Sequence, residues 1–277
     1  MPEETDFFVR FWGVRGSIPC PGGDVVRFGG NTSCLEVRCG PYVLILDAGT
    51  GLRMFDHARN GAGPLDADVF FTHTHLDHIC GWPYFSSLLD PETAINVWCG
   101  NLIPEHSIAQ VLGGLLREPF MPVHGEGILA RLDYRDFNAG ERLEPRPGVT
   151  LYTAPLNHPQ GATGYRIEFA GKSICYITDT EHKPGELDRN VLGLIEGADV
   201  VVYDSTYTDE EFPAHVDWGH STWQEGVRLC DAANAGQFVV FHHDPDHDDD
   251  FMDGIEAAIE QARPGSLVAR EGMVLKP

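Results

Sequence analysis

The sequence is short of positive charge. Its 277 residues include 19 lysines and arginines against 42 aspartates and glutamates, which gives a formal net charge of -23 at pH 7. A surface this acidic repels long polyphosphates, so binding to bulk nucleic acid through a basic face is not expected. Carboxylates that bind metal cations would offset part of the charge locally. The composition therefore favours a small ligand.

Other features are also missing. No run of about 18 apolar residues occurs, and the acidic start lacks an apolar signal segment, so neither a membrane span nor a secretory leader is expected. The seven cysteines are scattered singly without a Cys-x-x-Cys pair, which is typical of reduced thiols in a cytosol. These absences predict a cytoplasmic protein with no membrane partner.

Strand-like and helix-like segments alternate through the whole chain. Aromatic and β-branched residues predict strands at 7–14, 33–39, 42–46, 95–99, 149–154, 164–169, 173–178, 198–203 and 237–241. Helices are predicted at 51–60, 105–117, 185–196, 221–234 and 249–262. No linker interrupts the alternation, so we expect a single domain over 1–277 with two layered halves, about 1–148 and 149–277.

The segment 100–126 has two interpretations. Its middle suits the helix at 105–117, and a turn rich in proline follows. The segment either covers the functional site as a lid or only connects its neighbours.

A dense group of metal-binding side chains follows one apolar strand. The apolar run at 69–71 leads directly into Thr-His-Thr-His-Leu-Asp-His. On a loop that leaves a strand, His73 and His75 can point to one metal ion while Asp77 and His78 turn to a second. Imidazole nitrogen and carboxylate oxygen suit zinc, manganese or iron better than calcium or magnesium. The motif therefore predicts a metal site.

Further candidate ligands occur at the ends of later strands. They are His158, Asp179 and His242. Functional groups of layered α/β proteins usually lie where a strand meets a loop, and a carboxylate at Asp179 can bridge two cations. His243 competes with His242. If strand geometry continues, the two rings point to opposite sides and only one is a ligand.

Two charged residues have open roles. Asp47 ends the strand at 42–46, where it either orients a metal ligand or serves as a turn or N-cap aspartate. Arg15, in the first glycine-rich loop, either contacts a substrate phosphate or is a surface arginine. His57, His106, His124, His182 and His215 lack a partner pattern and are expected to be structural or exposed.

Several stretches between residues 30 and 243 resemble the metallo-β-lactamase superfamily, in the branch of ribonuclease Z and the PhnP-type and cyclic-nucleotide phosphodiesterases. They are Gly30-Asn31-Thr32-Ser33, Leu46-Asp47-Ala48-Gly49, the motif at 73–78, His158 with Gly164-Tyr165-Arg166-Ile167, Thr178-Asp179, Asp204-Ser205-Thr206, Gly219-His220-Ser221-Thr222 and Phe241-His242. The stretches with His220 and Asp204 favour the phosphodiesterase branch.

The resemblance implies an α/β fold, a four-layer αβ/βα sandwich of two mixed sheets packed face to face with helices outside. It implies a binuclear site at one edge of the sheets that holds two divalent metal ions, expected to be zinc, with manganese or iron as alternatives. His73, His75 and His158 would hold one metal. Asp77, His78 and His242 would hold the other, and Asp179 would bridge them.

The implied activity is a metal-dependent hydrolase, a phosphodiesterase for a small cyclic nucleotide or cyclic ribose phosphate. A hydroxide shared by two cations about 3.5–4 Å apart is nucleophilic at neutral pH. His220, held by Asp204, would protonate the leaving alkoxide. Asp77, His220 and Asp204 are therefore the candidate catalytic residues, and Asp77 is also a candidate ligand.

Two differences from ribonuclease Z argue against transfer RNA as the substrate. The segment after His242 is an acidic run to Asp250, and the chain lacks an obvious basic, glycine-rich arm. A small phosphodiester and, with less support from the sequence, a second copy of the chain are the expected partners. Two alternatives remain: a lactone or thioester hydrolase on the same binuclear site, and a non-catalytic metal or redox sensor.

Overall fold

Two β-sheets carry the fold in the computed structural model, which describes residues 6–121 and 127–277. The first sheet contains β1 (Phe7–Gly13), β2 (Cys34–Cys39), β3 (Tyr42–Leu46), β4 (Asp66–Phe71), β5 (Ala94–Cys99) and β6 (Arg131–Asp136). The second contains β7 (Arg142–Arg146), β8 (Val149–Leu156), β9 (Ala162–Phe169), β10 (Lys172–Ile177), β11 (Val200–Asp204), β12 (Gln237–Phe241) and β13 (Leu267–Val268). The last strand, β14 (Val274–Leu275), returns to the first sheet beside β1.

Both sheets change from antiparallel to parallel pairing partway across. In the first, the pairs from β14 through β1 and β2 to β3 are antiparallel, and those from β3 through β4 and β5 to β6 are parallel. In the second, the pairs from β7 to β10 are antiparallel and those from β10 to β13 are parallel. The expectation of two mixed sheets is confirmed.

Helices cover the outer faces. They are α1 (Gly51–Arg59), α2 (Leu76–Ile79), α3 (Ile108–Leu115), α4 (Arg189–Ile195), α5 (Trp223–Ala232) and α6 (Asp249–Ala262). None of the helices in the described ranges combines the length and apolar composition that a membrane crossing requires.

Three apolar layers separate the sheets and helices. Between the sheets, β3 buries Leu44 and Leu46, and its alternate residues Val43 and Ile45 pack outward under the helices. Alternation with a period of two explains this division, because successive side chains of a strand point to opposite faces. A third apolar layer lies between the second sheet and α4, α5 and α6. Three buried layers between four structural layers confirm the sandwich.

The sequence patterns missed four strands, β6, β7, β13 and β14, which lie at the ends of the two sheets. The strands β13 and β14 have only two residues each, and β6 and β7 have polar side chains, with the pattern Arg-Leu-Asp-Tyr-Arg-Asp in β6. An edge strand with exposed charges lacks the apolar run that predicts a strand. The motif loop also differs from expectation, because α2 begins at Leu76 and carries Asp77 and His78 on its single turn.

The proposed lid segment is only partly within the described residues, since 122–126 lie outside them. Its described helix α3 buries Ile108 and Leu112 on the outer face of the first sheet. Nearer the site, Asn101 Nδ2 donates to the carbonyl of Gly161 at 2.8 Å. The lid stays a prediction.

Candidate metal centre

The ends of four strands meet at one edge of the two sheets. The motif after β4 and the turns after β8, β10 and β12 bring together the seven side chains that were named as candidate ligands: His73, His75, Asp77, His78, His158, Asp179 and His242. All are buried except His75, which is half-buried.

Three histidines form the first group. Ligand atoms of His73, His75 and His158 all lie within 4.8 Å of one another. The Nε2 atom of His158 is 3.1 Å from Nδ1 of His75. Oδ1 of Asp179 is 3.7 Å from Nε2 of both His73 and His158. Nitrogen atoms and a carboxylate oxygen thus converge on one point.

Asp77, His78 and His242 form the second group, with ligand atoms within the same 4.8 Å limit. Oδ2 of Asp77 lies 3.2 Å from Nε2 of His78 and 3.4 Å from Nε2 of His242. Oδ2 of Asp179 lies 3.2 Å and 3.4 Å from the same two nitrogens. Asp179 therefore faces one group with Oδ1 and the other with Oδ2, as a bridging carboxylate does.

Hydrogen bonds outside the cluster fix the tautomer of each histidine. In each ring, one nitrogen bonds a fixed partner and the other faces the cluster with its lone pair. The partners are Thr72 Oγ1 for His73, Gln160 Oε1 for His75, Asp47 Oδ2 for His78, the Gly219 carbonyl for His158 and Thr206 Oγ1 for His242, at 2.8–3.1 Å.

The residues fit a pair of divalent cations. Nε2 of His73, His78 and His242 is buried and has no hydrogen-bond partner among the described residues. Buried polar atoms are rarely left without a partner, so three such nitrogens aimed at carboxylate oxygens are best explained as metal ligands. The set of imidazoles and carboxylates suits zinc, manganese or iron.

Burial tunes the ligands for this role. It lowers the pKa of His73 well below the usual histidine range and also lowers the pKa of His158, which favours the neutral imidazole that binds metals. Burial opposes ionisation of Asp77, but the attraction of His78 outweighs it and the pKa of that carboxyl is lowered. Asp77 Oδ2 also accepts the backbone N–H of Ser17 at 2.9 Å.

His220 and Asp204 lie beside this cluster as a hydrogen-bonded pair. Nδ1 of His220 donates to Oδ2 of Asp204 at 2.9 Å, and its Nε2 has no partner among the described residues. Burial disfavours the imidazolium, but the charge of Asp204 and its hydrogen bond outweigh burial and raise the pKa of His220 to about 9. The pairing with Asp204 therefore favours the imidazolium form, which carries a proton on Nε2.

Asp179, Asp204, His220 and His242 also have potential ligand atoms close together. However, Oδ1 of Asp204 accepts from Thr206 N and Oγ1 and from Ser221 N, and Oδ2 accepts from Asp179 N and His220 Nδ1. Both oxygens are occupied by hydrogen bonds. This group is therefore a network that orients His220 and Asp179.

Asp47 orients the candidate ligand His78, in agreement with one of its two expected roles. It is fully buried and accepts hydrogen bonds from His78 Nδ1, Thr72 N and Oγ1, and the hydroxyl of Tyr176. Sequence reasoning missed Thr72, Tyr176 and Gln160. Thr72 was recognisable as the first polar residue after β4, whereas the other two come from distant segments.

His243 lies outside the cluster. Its ring is buried against Phe28, and Nε2 donates to the carbonyl of Ala269 at 2.8 Å. Burial lowers its pKa to about 3. The rings of His242 and His243 point to different sides, and His242 is the one in the cluster.

Both interpretations of Arg15 are wrong. Its side chain is fully buried, so it is not a surface arginine. The guanidinium donates to the carbonyls of Gly29, Asp244 and His247, at 2.8–3.2 Å, so it is not placed to bind a phosphate. Arg15 joins the first loop to the segment before α6. No pattern in the sequence indicated that this arginine is buried.

The five histidines that were expected to be structural or exposed lie in different environments. His182 is buried, with its ring centroid 4.1 Å from that of Phe212, and bonds Ser221 Oγ at 2.8 Å. His215 stacks on Tyr207 at 4.2 Å. His57 and His106 are exposed, and His124 lies outside the described residues.

Comparison with known proteins agrees with this geometry. A model of the family described as the beta-lactamase superfamily domain matches residues 42–243. Ribonuclease Z of Myxococcus xanthus (strain DK1622) is 24% identical over 291 residues, covering 89% of this chain and 92% of the relative.

Solved structures give the same fold. The crystal structure of the metallo-β-lactamase fold protein YhfI from Bacillus subtilis has a TM-score of 0.73 at 18% identity and covers 98% of this chain and 99% of its own. A diphosphatase from the PhnP family has a TM-score of 0.70 at 19% identity and 98% coverage of both chains.

Proposed function

The chain belongs to the β-lactamase superfamily as a metal-dependent hydrolase, and we propose that it is a phosphodiesterase for a small, cyclic phosphodiester. The His220–Asp204 hydrogen bond beside the metal cluster carries the proposal, because a leaving alkoxide needs a proton and a histidine held by a carboxylate can supply one. The seven cysteines are unpaired, which supports action in the cytoplasm.

We assign the ligands from the convergence of their atoms. His73, His75 and His158 would hold one cation, Asp77, His78 and His242 would hold the other, and Asp179, which faces both groups, would be their shared ligand. Zinc is the proposed metal, since it takes histidine and carboxylate ligands and keeps an open position in catalytic sites. When bound, two such cations supply a nucleophilic water and neutralise phosphate oxygens.

The chain's own residues handle the proton. His220 gives the proton on Nε2 to the departing oxygen as the phosphorus–oxygen bond breaks, and Asp204 stabilises the imidazolium beforehand through Nδ1. Asp77, whose Oδ2 accepts the backbone N–H of Ser17, keeps a negative charge at the cluster and is the third proposed catalytic residue. Such proton transfer typically contributes about 10²–10⁴ in rate.

RNA is a second candidate substrate. The match to ribonuclease Z extends over 89% of the chain, which favours it. The net charge of -23 opposes it, because a protein that grips RNA neutralises phosphates with lysine and arginine. We therefore prefer a small diester over a long polyanion.

Lactone and thioester hydrolysis is a third candidate on the same centre. The thiolate released from a thioester is weakly basic and makes little demand on a general acid, so the His220–Asp204 pair would have no task there. A lactone releases an alkoxide, and the direct comparison of substrates therefore decides between a lactone and a phosphodiester. A non-catalytic sensor would have no use for the His220–Asp204 pair beside the cluster.

The first experiment is hydrolysis of bis-p-nitrophenyl phosphate by protein of measured metal content, before and after chelation. We expect about two metals per chain and release of p-nitrophenol that stops on chelation and returns with zinc. Cyclic nucleotides, a precursor tRNA, a lactone and a thioester are then compared at equal enzyme concentration. Preference for the tRNA, the lactone or the thioester, or full metal occupancy without any turnover, would overturn the proposal.

A further inference from the structure

An apolar pocket opens beside the metal cluster. It has a volume of about 430 Å³, and Asp77 and Ser17 form the part of its wall next to the cluster. The size lies in the range of small-molecule sites, which is about 300–1,000 Å³. A ligand whose phosphate rests on the cluster can therefore extend into this pocket.

Several exposed apolar side chains lie together around this pocket. Of the 14 large apolar side chains that are exposed among the described residues, four line this pocket: Ile18 (58% exposed), Met54 (37%), Leu76 (69%) and Tyr84 (65%). They come from the first loop, α1, α2 and the 3-10 turn Trp82–Tyr84. Single exposed apolar residues are normal, but a group around one concave site indicates a binding surface.

A second cavity borders the cluster on a different set of residues. It has a volume of about 550 Å³ and is lined by His158, Gly219, Glu181 and Lys183 among others. His220 follows Gly219 directly, so the proposed proton donor adjoins this second cavity and does not line the apolar pocket. The departing oxygen is therefore expected on the side of the second cavity, where Glu181 and Lys183 lie.

We infer that the apolar pocket binds an aromatic group that stays on the phosphate, and that it sets the substrate preference of the enzyme. This inference rests on the proposed function. The aromatic ring lies against Tyr84 and Leu76, and the oxygen released when the cyclic diester opens faces His220. The preferred substrate is thus a cyclic diester that carries an aromatic group, such as a nucleobase, and keeps that group on the phosphate after one phosphorus–oxygen bond has broken.

Binding of two phosphonates tests the pocket without turnover. Calorimetry on the metal-loaded protein compares phenylphosphonate with methylphosphonate, which share the metal-binding group. We expect the phenyl compound to bind about tenfold tighter, because its ring loses apolar surface to the pocket. The ratio should fall towards one in Tyr84→Ala and in Leu76→Ala. In Leu89→Ala, a leucine of similar exposure (58%) outside the pocket, the ratio should be that of the wild type.

Turnover provides the second measurement. Phenyl and methyl p-nitrophenyl phosphate share a leaving group, so the ratio of their kcat/KM values reports the retained group. We expect Tyr84→Ala to lower this ratio about tenfold at unchanged metal content, and Leu89→Ala to leave it unchanged.

The outcomes separate the two proposals. Two results would overturn the proposed role of the pocket. The first is equal affinity of the wild type for phenylphosphonate and methylphosphonate, and the second is the same affinity ratio in Tyr84→Ala and Leu89→Ala. A change from dimer to monomer in Leu76→Ala without a change in either ratio would make the patch an interface between copies, which also overturns it. A clear phosphonate preference in a protein that cleaves neither diester would support the pocket and overturn the diesterase.

Discussion

Asp47 and Asp179 face opposite nitrogens of one imidazole. Oδ2 of Asp47 is 2.9 Å from Nδ1 of His78, and Oδ2 of Asp179 is 3.2 Å from its Nε2. The two aspartates occupy corresponding places in the two sheets. Asp47 follows β3 and Asp179 follows β10, and each of these strands has an antiparallel neighbour on one side and a parallel neighbour on the other.

Their backbones are also alike. Asp47 has φ of 59° and Asp179 has φ of 58°, in the left-handed region that aspartate tolerates better than most residues. This turn at the strand end directs each carboxylate into the space between the sheets. The candidate metal centre therefore lies at matching points of the two sheets, with His78 between the two aspartates.

Replacing His220 should affect substrates according to their leaving group. His220→Ala is expected to reduce kcat by about 10²–10⁴ for a cyclic nucleotide, whose ribose alkoxide needs a proton, and far less for bis-p-nitrophenyl phosphate, whose phenolate does not. Single-turnover rates with both substrates, together with metal analysis, measure the difference. Equal losses for the two substrates, or lost metal, would make His220 a ligand or a structural residue.

Neutralising Asp204 should shift the pH profile. The charge of Asp204 raises the pKa of His220, and the acid form exists only below that pKa, so activity falls as the pH rises through it. In Asp204→Asn the pKa of His220 drops, and the alkaline limb of kcat for a cyclic nucleotide should move to lower pH. An Asp204→Asn profile that coincides with that of the wild type would exclude this role.

His242 and His243 form a natural pair of matched variants. His242→Ala should lower the metal content, because Nε2 of His242 faces Asp77 and Asp179. His243→Ala should keep the metal but reduce the free energy of unfolding by roughly 1–3 kcal/mol, since the buried carbonyl of Ala269 loses its donor. Metal analysis and denaturant titration of both variants test this. Retained metal in His242→Ala together with lost metal in His243→Ala would instead make His243 the ligand.

Gly219 supports His158 by leaving room for its ring. A Cβ at Gly219 would lie 2.3 Å from Nδ1 of His158, and φ is +88°. Gly219→Ala should displace the imidazole and weaken metal binding about 10–100-fold, as loss of a supporting contact does. Gly185→Ala is the control for backbone strain, because φ of Gly185 is +80° and a Cβ there would have no atom within 4 Å. Equal metal affinity in the two alanine variants would contradict the prediction.

Arg15 should matter for stability. Arg15→Met removes the donors of three carbonyls, those of Gly29, Asp244 and His247, and is expected to cost about 3 kcal/mol or more, at about 1–3 kcal/mol for each unsatisfied group. The exposed Arg131→Met should change the free energy of unfolding by less than about 0.5 kcal/mol. Unchanged stability with a raised KM in Arg15→Met would restore the phosphate-binding role.

Much of the fold followed from local pattern. Strands buried on both faces, such as β3 and β12, consist of apolar runs that are visible in the sequence, and the helix at 249–262 was predicted with the limits of α6. The edge strand β6 was not predicted, because its exposed charged residues interrupt the apolar run that indicates a strand. Its place in the sheet depends on pairing with β5, which is a long-range contact.

The sequence alone determined the chemical types of the site. A histidine or aspartate just after an apolar strand is a local feature, and seven such residues in the family's order identified the candidate ligands. Only the tertiary structure decided what holds them. The bonds from Tyr176 to Asp47 and from Gln160 to His75, and the burial of Arg15, join residues that are far apart in the chain. Such contacts leave no periodic trace, because the packing of two sheets, and not the local sequence, brings the partners together.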